Sequence, residues 1–222
     1  MSTLLWIIAI LLGGVIAIRK LARSQLARLT KNVENFANPQ FTTLDFSELP
    51  RWARRRFAGL RSAYTALGFR ELVIYRRQSE RLNYTCMLVT PDGLTLAHVW
   101  VARSYGAQRA FSMLMGWEAF KRELLVAPRY SLTTEYSGTR RFDTTMVEFL
   151  ARSQVDGEIE FLIVPPEMPL AEVVEHHRAG AQAFAAKIGA PPMSITTAEQ
   201  FFDCERAHIA RAAKKLRRNL IV

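Results

Sequence analysis

Few residues in this chain combine the types and the spacing that chemistry needs. Glu172, Glu175, His176 and His177 form the one cluster of metal-ligating side-chain types. Glu172 and His176 stand four apart, the interval that sets two ligands on one helix face. His177 instead falls on the apolar stripe Leu170, Val174, His177, Ala181, Phe184 and Ile188. It therefore turns away from that pair and reads as a core histidine with its hydrogen bonds satisfied. His98 alternates with Leu96 and Trp100 along one strand face and reads as packing. Thr133, Thr134, Glu135, Arg140, Arg141 and Asp143 gather on one hairpin. They can build a small polar site, or pair with one another across the strands as neighbouring hairpin charges do. No G-x-S-x-G, Walker A, G-x-G-x-x-G or C-x-x-C motif is present. No catalytic residue, metal site or cofactor is assigned, and the expected activity is binding rather than catalysis.

Charge says more. The chain carries 30 Lys+Arg against 20 Asp+Glu, a formal net charge of +10. Arg51, Arg54, Arg55 and Arg61 share the outer side of a helix without interleaved acids. Arg211, Lys214, Lys215 and Arg218 recur at i, i+3, i+4 and i+7 near the C-terminus, with Arg206 and Arg217 beside them. Both strips are candidate binding faces for anionic lipid or a protein partner; a solvated face is the plain alternative. Nucleic acid is disfavoured, because no aromatic residues are interleaved with the strips to stack on bases.

The elements that must position these faces begin with an anchor. Residues 4–18 are uncharged and free of proline, and Arg19, Lys20 and Arg23 follow as a collar. A helix there, with its flanks, just reaches across a bilayer core of roughly 30 Å at about 1.5 Å per residue. A cleaved signal would need basic residues before the run, and there are none. The positive-inside bias puts the N-terminus outside and the rest in the cytoplasm of a single-pass inner (plasma) membrane protein. Two cysteines make no disulfide framework, in keeping with that side. The expected organisation is a transmembrane anchor (1–21), a basic amphipathic juxtamembrane helix or linker (22–40) and a cytoplasmic domain (41–222).

Within the domain, Phe41 to Phe46 reads as a connector. A helix follows Pro50 and is stopped by Gly68, with Phe69 folding back on it. Strands are expected over 71–75, 84–90 and 94–101, the last two joined by the tight turn Pro91-Asp92-Gly93. Residues 106–127 fit either core packing or a membrane-interface helix. A threonine-rich hairpin over 130–145 and a strand over 158–164 come next. Two helices end the chain: one runs from Pro169 to Gly189, and the other is capped at Thr196 or Thr197 with Gln200 in a capping box. The expected fold class is α+β: an antiparallel sheet of five or six strands packed by one preceding and two C-terminal helices. The functional expectation is a membrane-anchored binding or accessory protein that docks a partner or anionic lipid. A domain enclosing a hydrophobic, lipid-like small molecule, lined in part by residues 111–125, is the alternative. Tethered nucleic-acid binding comes third.

Overall fold

The computed structural model describes residues 39–77, 83–102, 129–146 and 158–220, without the side chains of 102, 129 and 215–220. Residues 4–18, the expected juxtamembrane segment up to residue 38 and residues 106–127 lie outside them. Among the described residues no helix is long and apolar enough to cross a membrane. The chain divides into two units, Gln40–Ala207 and a second that holds Met1–Pro39 with His208–Val222.

The first unit is built on one seven-stranded sheet in sequential order: β1 (Phe41–Leu44), β2 (Arg70–Arg77), β3 (Asn83–Val89), β4 (Leu96–Ala102), β5 (Arg129–Tyr136), β6 (Arg140–Thr145) and β7 (Ile159–Ile163). The first five pairings are antiparallel, but β7 runs parallel to β6. The sheet is therefore mixed, which corrects the antiparallel expectation. Side-chain alternation marks a strand without giving its direction. Among the described residues the strand count also rises to seven, because the expected connector at Phe41 pairs with β2 as an edge strand.

Local chemistry explains most element ends. Asp45 and Glu48 close a reciprocal capping box around a 3₁₀ turn, Asp45 N–H donating to Glu48 Oε2 at 2.7 Å. Helix α1 (Arg51–Ala66) starts after Pro50 and ends at Gly68, whose φ of 86° few other residues adopt. Phe69 N–H returns to Tyr64 O at 3.0 Å and the two rings meet edge-on, so the stop is also a packing contact. In the β3–β4 turn, Asp92 Oδ1 accepts from Leu94 N–H and Thr90 Oγ1–H. Helix α2 (Leu170–Ile188) begins after Pro169 and ends in left-handed Gly189. Helix α3 (Ala198–Leu220) opens with Gln200 Oε1 accepting from Thr197 N–H while Gln200 N–H donates to Thr197 Oγ1.

Alternation gives the sheet two different faces. One carries Ile74, Cys86, Leu88, Val99 and Leu132 and is covered by Ala53, Phe57 and Tyr64 of α1 and Val173 and Val174 of α2. Each fully buried side chain of this kind contributes about 1.5–3 kcal/mol. The other face carries Tyr75, Met87, Val89 and Leu96, and Ile195, Phe201 and Phe202 cover these four. The segment that delivers α3 to this side is pinned at the β3–β4 turn. Ile195 N–H donates to Gly93 O at 2.8 Å and Ser194 Oγ–H to Asp92 O at 2.7 Å. A Cβ at Gly93 would lie 2.4 Å from Ser194 Oγ, so glycine is required by contact as well as by its φ of 76°.

Candidate functional site

Helix α3 covers only part of the second face, and the remainder is polar. Along the register, His98 pairs with Ser131 and Ser131 with Thr145, while Leu96 pairs with Thr133, Thr133 with Asp143 and Asp143 with Phe161. Paired residues share a side of the sheet, so these rows floor a common surface. With Tyr75, Arg77, Asn83, Thr85, Trp100, Arg141 and Glu205, all of them but Leu96 line an open cleft of about 430 Å³. That volume lies within the usual range for small-molecule sites.

Arg141 is the pivot of the cleft wall. Its Nε donates to Glu135 Oε1 at 2.7 Å and its Nη2 to Glu205 Oε1 at 2.7 Å. Arg77 Nη2 donates to the other Glu205 oxygen at 3.3 Å. Glu135 is 2% exposed and Glu205 6%, so both carboxylates depend on these partners rather than on water. Burial alone would raise the Glu205 carboxyl, yet Arg141, His98 and Arg77 outweigh it and hold it at about 2. Burial likewise opposes the charge on Arg141, but Glu135, Glu205 and Asp143 overcome it and raise its pKa well above the ordinary range. Asp143 Oδ1 accepts from Thr133 Oγ1–H at 2.6 Å.

The hairpin residues noted in the sequence thus do both things open to them. Glu135 pairs with Arg141, and Thr133, Arg141 and Asp143 also border the cleft. Thr134 and Arg140 go elsewhere: Thr134 Oγ1 meets His177 Nε2 at 2.9 Å, and Arg140 Nη1 donates to Ile188 O at 3.4 Å. Glu205 and Arg77 carried no sequence signal, since Glu205 joins Arg141 across 64 residues.

The histidines separate cleanly. His177 is 0% exposed, with its other nitrogen, Nδ1, 2.9 Å from Thr144 Oγ1. Burial, with Arg178 adding to it, lowers its pKa to about 3. It is the satisfied core histidine that its place on the stripe implies. The His176 ring lies 2.8 Å from the backbone oxygen of Glu172. Among the described residues no group of three or more metal-ligating side chains is placed to hold an ion. His98 departs from the packing expectation. Its ring is edge-on to Phe201 at 5.7 Å and borders the cleft, yet among the described residues its buried Nε2 has no hydrogen-bond partner. Burial, partly offset by Glu205, takes its pKa down to about 4, so the ring is neutral near pH 7. Among the described residues Nε2 makes no bond to Ser131 across the strand.

The basic faces divide as well. Arg51, Arg54 and Arg55 are exposed on α1. Arg61 is half-buried; its Nε pairs with Glu71 at 2.7 Å and its guanidinium lies over the Phe46 ring. A register shift between Glu71 and Val73 puts Glu71 opposite Leu88, on the side of the sheet that α1 covers. In the second unit Lys214 is exposed and Arg211 is half-buried, its Nη2 3.5 Å from His208 Nδ1. Arg206 pairs with Asp203 at 2.7 Å. The side chains of Lys215 and Arg218, and all of Arg19, Lys20 and Arg23, lie outside the described residues.

Among its described residues the Gln40–Ala207 unit is an α+β domain with a mixed sheet, two helices on one face and the start of a third on the other. Compared with protein-family models, curated proteins and solved structures, the chain matches none.

Proposed function

We propose that this chain is a membrane-held binding protein whose domain rests its α1 arginines on the anionic cytoplasmic surface. One observation carries the proposal: Arg51, Arg54 and Arg55 stand exposed at the N-terminal end of a helix that contains no acidic residue. Cations there oppose the helix dipole, at about 0.3–1 kcal/mol each near the terminus. Stability of the isolated domain therefore gives no reason for the arrangement. A phosphate-rich surface does, since each arginine close to an anionic leaflet contributes about 1 kcal/mol.

Residues 4–18 supply the span in this reading, Arg19, Lys20 and Arg23 the collar, and the N-terminus lies outside. Cys86 and Cys204 are free thiols, compatible with a reducing compartment. Because α1 and the cleft occupy opposite sides of the sheet, a domain resting on α1 turns its cleft away from the bilayer. An enclosed site for an acyl chain gains less support, since charged and hydroxyl side chains line much of the cleft.

The test uses the full chain in nanodiscs of phosphatidylcholine with and without phosphatidylglycerol. Amide exchange over residues 51–62 is expected to slow when the anionic lipid is present and to recover in high salt. Identical exchange in both lipids at low salt removes the lipid reading. Protection that appears only with an acidic protein partner transfers the same face to that partner.

A further inference from the structure

We propose that the cleft on the second sheet face binds a small uncharged ring compound carrying several hydrogen-bonding groups. The floor presents the hydroxyls of Ser131 and Thr133, the Asp143 carboxylate, the His98 imidazole and the rings of Trp100 and Phe161. Hydroxyls and a neutral imidazole exchange hydrogen bonds in either direction, and the aromatic rings add apolar surface for a ring to pack on.

Charge balance argues against an anionic ligand. Arg141 is already committed to Glu135 and Glu205, and Arg77 to Glu205. Two cations and two carboxylates line the cleft, with Glu135 directly behind them. No surplus positive charge is left for a phosphate, although the outside of the chain is strongly basic. The Arg141 pairs are buried and join the sheet to helix α3, which favours one shape of the wall without a ligand.

A second observation concerns one residue of that lining. A buried ring nitrogen without a partner costs about 1–3 kcal/mol, and such groups are rare. Among the described residues His98 Nε2 is one; the atom itself is covered while its ring borders the cleft, so a ligand there completes it only with a turn of the imidazole. Sugars and nucleosides share the required chemistry: a ring face, several donors and acceptors, and no net charge.

The experiment uses the full chain in detergent micelles at physiological salt. Methyl α-glucoside and adenosine are each titrated, alongside glucose 6-phosphate and AMP as charged counterparts, and followed by saturation-transfer NMR. One of the uncharged compounds is expected to bind with a Kd below about 1 mM. Its phosphorylated counterpart should bind at least about tenfold more weakly, and Trp100→Ala should weaken binding by about tenfold or more. Whether the glucoside or adenosine binds identifies the source. Trp52→Phe, on the opposite face, should leave binding unchanged. If Trp100→Ala does not fold, Ser131→Ala carries the test, with a loss of about threefold or more expected. Failure of both uncharged compounds to bind overturns the proposal. So does binding that is indifferent to the cleft variants, or tighter binding of the phosphorylated forms. These arms contain no anionic lipid, so their outcome is separate from that of docking through α1.

Discussion

Arg141 of β6 and Glu205 of α3 form a buried ion pair at 2.7 Å that ties the sheet to the final helix across 64 residues of sequence. Glu205 sits on the same helix as Phe201 and Phe202, so the charged contact and the apolar cover are delivered together. Removing one partner of a buried pair strands the other charge. We expect Glu205→Ala to lower stability by about 3 kcal/mol, towards the lower end of the range because Arg141 keeps Glu135. Denaturant unfolding followed by circular dichroism measures it.

The same carboxylate gives a pH dependence. Its pKa is about 2 in the folded protein and about 4.3 in an unfolded chain. The stability it contributes is present in full above about pH 5 and is lost as the pH falls towards 2. Glu205→Gln should flatten that part of the stability–pH curve, and an unchanged curve would show that the pair contributes little.

His98 and His177 act at higher pH. Burial holds them neutral, at about 4 and about 3, while an unfolded histidine titrates near 6.5. Below about 6.5 the unfolded chain binds more protons, so stability should fall as the pH drops towards 4, by up to about 1.4 kcal/mol per unit for each ring. His177→Gln should cost about 1–2 kcal/mol near pH 7, because two threonine bonds are disturbed, and should make the acid slope shallower.

Two helix glycines should respond with opposite signs. Gly59 lies in α1, and a Cβ added there would meet nothing within 4 Å, so Gly59→Ala should stabilise by about 1 kcal/mol. At Gly180 in α2 a Cβ would sit 2.3 Å from Phe142 Cζ, inside a buried contact. Gly180→Ala should cost about 1–3 kcal/mol through overpacking. Melting temperatures of the two variants decide the matter.

Features set by near neighbours were legible in the sequence. The Gly68 stop, the Pro91-Asp92-Gly93 turn, the α2 stripe and the Thr197–Gln200 cap each depend on residues within a few positions. The parallel direction of β7 was not legible, because it depends on the path between strands. The edge strand at Phe41 was missed because four residues carry little alternation; its ring stacking on Phe202 at 4.7 Å is a tertiary contact. The polar hairpin was visible as a cluster but its burial was not, since Thr133, Glu135 and Asp143 alternate in the same way whether water or α3 covers them. Arg61 looked free until the register shift at Glu71 supplied its partner.

Docking through α1 is tested most directly by asking which side of the sheet lies near lipid. In a Cys204→Ser background, nitroxides are placed by Ala58→Cys on α1 and Asp203→Cys on α3, both exposed positions. Cys86 stays unlabelled, because it is buried and burial pushes its thiol up to about 12. The full chain is reconstituted in vesicles containing phosphatidylglycerol and a nickel-chelating lipid, and relaxation of each label is measured. We expect strong relaxation at position 58, weak relaxation at 203, and loss of the difference in Arg51→Gln/Arg54→Gln/Arg55→Gln. Equal relaxation at the two positions, or stronger relaxation at 203, would contradict docking through α1.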